Sequence, residues 1–125
     1  MGDAYAARLA INILNSSGTT LAIGPYGLTG GEWEPGHKPD SRYPIDSGGT
    51  VVYANIAPHY FSGLGGSMVL YPMTGGWINV NWSWPSGKAP TGWATPDSTT
   101  GIEVNSSLIG VGSSNVTLQV VLTNL

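Results

Sequence analysis

Residues 77–87 read Trp-Ile-Asn-Val-Asn-Trp-Ser-Trp-Pro-Ser-Gly, and they constrain the fold more than any other stretch. Ile78, Val80, Trp82 and Trp84 alternate with Asn79, Asn81 and Ser83. A side-chain period of two belongs to an extended strand with one dry and one wetted face. Pro85 and Gly87 then break the strand. Four of the five tryptophans fall between Trp77 and Trp93. Such rings either fill a β-core or form a recognition surface, because Trp is enriched where an apolar surface also touches water.

The rest of the chain reads in the same way. Leu9, Ile11 and Ile13 share one face of a strand over residues 8–14, and Asn15-Ser-Ser-Gly18 turns the chain. Residues 19–23 are expected to return beside that strand as a β-hairpin, closed by Gly24, Pro25 and Gly27. Residues 36–42 read as loop, 45–55 as a turn leading into a strand, and 58–66 as an irregular stretch holding Tyr60 and Phe61. A strand over 67–71 turns through 72–76 into the tryptophan strand. Residues 88–101 read as a Pro/Thr/Gly loop, which puts Trp93 in a loop. Strands over 102–104 and 116–122 finish the chain, the last with Val116, Leu118, Val120 and Leu122 on one face. Short strands, Gly-rich turns, no helical periodicity and no internal repeat predict an all-β antiparallel sandwich. At 125 residues the whole chain, 1–125, reads as one domain.

Composition narrows the function. Charged residues are 9% of the chain, against about a quarter in a typical globular protein, so solubility rests on Ser, Thr, Asn and Gly. Net charge is −3, and the four basic residues, Arg8, Lys38, Arg42 and Lys88, are far apart in sequence. That excludes the basic stripe of a nucleic-acid binder and the polybasic patch that seeks anionic lipid. Arg8 and Lys88 read as solvated charges. No cysteine is present, hence no disulfide framework and no thiolate site. The opening residues lack the pattern of a signal peptide, and Ala6 stands where a myristoylation motif at Gly2 wants Ser or Thr. No apolar run is long enough for a transmembrane helix. The sequons at Asn15, Asn81, Asn105 and Asn115 read as accidents of a Ser/Thr/Asn-rich chain.

Catalytic chemistry is thinly represented. His37 and His59 are the only imidazoles, and no third ligand stands at a fixed spacing from His37 and Asp40, so no metal site is assigned. Glu32 and Glu34 flank Trp33; on a strand they form a solvent-facing carboxylate pair with Trp33 packed behind them. A glycosidase instead needs two carboxylates opposed across a cleft. No phosphate-cradling loop and no nucleophile elbow is present. The chain reads as a non-enzyme without a cofactor.

Three stretches resemble the aegerolysins, above all their short bacterial insecticidal members. They are the 11–23 segment followed by Leu28-Thr-Gly-Gly-Glu-Trp33, then Gly63-Leu-Gly-Gly-Ser-Met-Val-Leu-Tyr71, then the 78–87 strand. The likeness covers residues 8–90 and rests on the order of the motifs. The resemblance implies a β-sandwich that binds a membrane lipid, with sphingolipids among the candidates, or a cell-surface receptor. It further implies the binding half of a two-component pore-forming toxin that recruits a larger, perforin-like partner. Such a protein is made in the cytoplasm and acts outside the cell at a target membrane.

By position, Trp33, Trp82 and Trp84 correspond to family aromatics near the lipid-facing end. Trp93 and Tyr60 join them as candidate lipid or receptor contacts on their loop placement. On this reading Trp84→Ala weakens membrane binding more than folding. The chief rival is a lectin-like carbohydrate-binding module that stacks sugars on Trp82, Trp84 and Trp93. An actinoporin-like protein that perforates alone would need an inserting amphipathic helix, for which residues 1–8 are too few. Open edge strands leave a homodimer available.

Overall fold

The computed structural model describes residues 5–125, and the reading of Gly2 lies outside them. Nine strands build it: β1 (Ala7–Ser16), β2 (Leu21–Gly30), β3 (Glu32–Trp33), β4 (Thr50–Ala57), β5 (Gly63–Pro72), β6 (Trp77–Pro85), β7 (Thr91–Asp97), β8 (Ile102–Ile109) and β9 (Asn115–Asn124). They form two sheets, one in the order β3-β4-β1-β9-β8 and the other β2-β5-β6-β7. The two sheets pack face to face as the expected sandwich. Every strand pair is antiparallel except β1 with β9, which run parallel from Arg8↔Asn115 to Ser16↔Thr123.

The core follows the alternation read from the sequence. Leu9, Ile11 and Ile13 of β1 and Val116, Leu118, Val120 and Leu122 of β9 point inward and are buried. From the other sheet Met68, Leu70, Ile78, Val80 and Trp82 close on them. Six of these side chains are β-branched, which suits packing on a pleated surface.

Three sequence expectations are corrected. β1 and β2 are not a hairpin, because both edges of β1 are occupied, by β4 and β9, and β2 crosses to the opposite sheet. Asn15 fixes the crossing: buried, it donates to Thr19 O (2.9 Å) and Ile45 O (3.0 Å), while Ser17 Oγ donates to its Oδ1 (2.6 Å). Its burial also removes it as a glycan acceptor. Residues 91–97, read as loop, form the edge strand β7, so Trp93 stands on a strand. β5 begins at Gly63, inside the stretch read as irregular.

Strand directions sort the connections between two ends. The β2–β3 corner, the β4–β5 loop (58–62), the β6–β7 turn (86–90) and the β8–β9 turn (110–114) share one end. The 17–20, 73–76 and 98–101 connections lie at the other.

Candidate functional site

The glycines and tryptophans that carry the family likeness converge on one buried amide. Asn55 of β4 is fully buried between the sheets. Its Oδ1 accepts from Trp82 Nε1 (3.1 Å) and from the Gly65 amide (2.9 Å). Its Nδ2 donates to Gly30 O (3.0 Å) and Glu32 O (3.1 Å). All four hydrogen-bonding positions of the side chain are therefore used, and one residue ties β4 to β5, β6 and the β2–β3 corner.

The glycines clear space for this arrangement. A Cβ on Gly31, which has φ 74°, would stand 2.7 Å from Asn55 Nδ2 and 2.6 Å from Ile56 O. A Cβ on Gly66 would stand 2.6 Å from Cζ2 of Trp82, so that ring lies directly on the glycine. Trp33 packs behind the corner, edge-to-face between Tyr26 (6.0 Å between ring centroids) and Trp82 (6.1 Å). Gly30, Gly31, Trp33, Gly65, Gly66 and Trp82 act first as one packing unit.

The structure distributes the candidate contact residues between interior and surface. Trp82 and Trp84 are 2% and 9% exposed: the alternation of β6 turns both rings inward, away from lipid or sugar. Trp33 is half-buried. Tyr60 is 77% exposed on the β4–β5 loop. Next to it Phe61 tucks in against Trp84, ring centroids 5.0 Å apart, so a core tryptophan braces the loop that displays Tyr60. Trp93 is exposed on the outer face of β7, two residues past the start of that strand. Of the three rings assigned to sugar stacking, only Trp93 reaches the surface.

Two apolar side chains that motif reading passed over share the end with Tyr60. Ile109 and Val111, at the β8–β9 turn, are each about half exposed. With Tyr60 they give that end an aromatic and aliphatic tip. His59 and Lys88 are the only basic side chains in the three connections 58–62, 86–90 and 110–114, which hold no Asp or Glu. The pairing of these turns at one end depends on long-range strand order, and no local pattern announces it.

Charge gathers on the long β3–β4 connection instead. Arg8, read as solvated, pairs with Glu34 (Nη2–Oε1 2.8 Å) across the outer face, and His37 Nδ1 stands 3.0 Å from the same carboxylate oxygen. The Arg8 hydrogen bonds hold the Glu34 carboxyl below the usual range, against its partial burial. Asp40 binds Arg42 (2.8 Å), and that side-chain bond, with the Arg42 amide, brings its pKa down to about 2. Three of the four basic residues thus meet along one connection. Beside them lie two shallow concavities of about 190 and 270 Å³ that share Tyr43 and Val51. Burial, helped by the Asp40 charge, pushes the Tyr53 hydroxyl on the wall of the first up to about 12. Among the described residues no group of three His, Cys, Asp or Glu side chains is arranged to hold a metal ion.

No protein-family model matches the chain, and no curated protein sequence matches it. Solved structures do. The lipid binding protein Nakanori aligns with a TM-score of 0.80 at 10% identity, over 97% of this chain and 73% of that one. IP-1A from Alcaligenes faecalis aligns with 0.70 at 20% identity, over 95% and 93%. The Xerocomus chrysenteron lectin XCL aligns with 0.57 at 10% identity, over 94% and 99%. The chain shares their fold. The β-sandwich implied by the aegerolysin resemblance is the one found, and it spans nearly the whole chain.

Proposed function

We propose that this protein is a non-enzymatic, aegerolysin-like membrane-lipid binder that docks through the end carrying Tyr60, Ile109 and Val111. The observation that carries the reading is that the β4–β5 loop, with Tyr60, and the end of β8 with its following turn, with Ile109 and Val111, bring exposed apolar side chains to one end of the sandwich. Scattered single exposed apolar residues are ordinary, but a shared tip with little charge matches the interfacial zone of a bilayer. Tyr60 would sit at headgroup depth, and the aliphatic side chains would enter the acyl boundary. Burying each aliphatic side chain fully would contribute about 1.5–3 kcal/mol. The lipid-binding description of Nakanori, which has the same fold, supports the reading.

We further propose that it is the binding half of a two-component toxin. It would act outside the producing cell, on a sphingolipid-bearing or receptor-bearing target membrane, with a larger perforin-like partner. Among the described residues no helix is long and apolar enough to cross a membrane. The test is co-sedimentation with vesicles of phosphatidylcholine, sphingomyelin or ceramide phosphoethanolamine, together with dye release. The reading expects saturable binding to one headgroup class and sealed vesicles until a partner is added. Failure to bind any of the three would overturn it.

A further inference from the structure

The outer face of the β5-β6-β7 sheet carries a second set of aromatic rings, distinct from the side chains of the loop tip. Trp77 and Trp93 are 39% and 46% exposed there, with Tyr71 exposed beside Trp77 one strand over. The register fixes their spacing. Trp93 is opposite Asn81, Thr95 opposite Asn79, and Asp97 opposite Trp77. Trp77 and Trp93 are therefore offset by four residues along the strands, roughly 13 Å.

Asn79, Asn81, Ser67 and Thr95 fill the space between the rings on the same face. Among the described residues, no side-chain hydrogen bond ties Asn79 or Asn81 to the rest of the protein, so both amides remain available to a ligand. Asp97 is the only charged side chain on these outward positions of β5, β6 and β7.

We infer that this face binds a neutral oligosaccharide. A pyranose has an apolar C–H face that packs on an aromatic ring and an equatorial fringe of hydroxyls that bond to amides. This strand face presents those two features alternately along a flat surface. Its near absence of charge matches a neutral chain, and the ring offset exceeds one sugar unit, which favours an oligosaccharide over a monosaccharide. A bilayer would satisfy the rings but would strand the asparagine amides, whose unpaired burial is costly. The face is separate from the proposed lipid-binding tip, and the two can be lost independently.

The test is affinity electrophoresis in native gels containing laminarin, soluble xylan, galactomannan or hydroxyethyl cellulose. Wild type is compared with Trp77→Ala, Trp93→Ala, their double variant and Tyr60→Ser, each verified as folded by its melting temperature. The inference expects retardation by at least one polysaccharide, at least fivefold weaker in each tryptophan variant and unchanged in Tyr60→Ser. Retardation that survives the double variant would overturn it. So would no retardation in any of the four gels. Sedimentation velocity supplies the competing outcome: a dimer that Trp77→Ala and Trp93→Ala dissociate would assign the face to a second copy of this chain instead.

Discussion

Asn55 is the residue whose loss should cost most per atom removed. Asn55→Ala leaves the Trp82 indole N–H and the Gly65 amide without their acceptor and strips two carbonyls of a donor. Each orphaned buried group costs about 1–3 kcal/mol, so a loss of about 3–5 kcal/mol is expected in denaturant unfolding. Gly31→Ala is expected to destabilise severely because the left-handed φ and the crowding by Asn55 and Leu64 coincide, whereas Gly36, with a similar φ, faces open space. The same substitution at Gly36 should cost about 1 kcal/mol.

Trp84→Ala follows the same logic. With Trp84 buried, the substitution should cost about 3–5 kcal/mol of stability, with membrane binding affected through the Phe61 loop it braces. A normal unfolding midpoint with lost vesicle binding would return Trp84 to the contact surface. The alternation of β6 was plain in the sequence and fixes which residues share a face. It does not say which face is inside, and the tryptophans were legible as a strand before they were legible as core.

At the scale of elements, period-two patterning located most strands but not their neighbours. The 8–14 and 19–23 segments look like hairpin partners because alternation reports only the burial of a face. What separates them is the wiring of Asn15 and Ser17 and the occupation of both β1 edges by strands far away in sequence. Edge strand β7 was missed because Pro90, Gly92 and Pro96 carry turn signals, which an edge strand tolerates.

The β3–β4 connection should make stability acid-sensitive. Glu34 and Asp40 both titrate below their ordinary range in the folded protein, so their contribution is present above that range and is lost as pH falls through the folded values. For Asp40 that window runs from about pH 4 down to about 2. The melting temperature should fall across it, less steeply in Glu34→Gln, which removes one of the two carboxylates. An identical pH profile in that variant would show that the Arg8–Glu34 pair does not contribute. Tyr53 acts at the opposite extreme: its raised pKa means that its contribution holds below about pH 10 and is lost as pH rises toward about 12.

On the scale of the whole molecule, the sandwich presents two unlike surfaces, an apolar tip and an uncharged aromatic-amide face. The sequence announced neither, because the tip assembles turns around residues 60, 86 and 110 and the face aligns Trp77 with Trp93 through strand register. Tyr60 was recognisable as an exposed aromatic in a loop; Ile109 and Val111 were not, since short aliphatic residues beside glycines look like any strand end. The most direct measurement of the central claim is sphingomyelin-vesicle co-sedimentation of wild type against the Tyr60→Ser/Val111→Asp double variant. The tip account predicts at least tenfold weaker binding of the double variant at an unchanged melting temperature, equivalent to about 1.4 kcal/mol or more. Equal binding of the two proteins would contradict it.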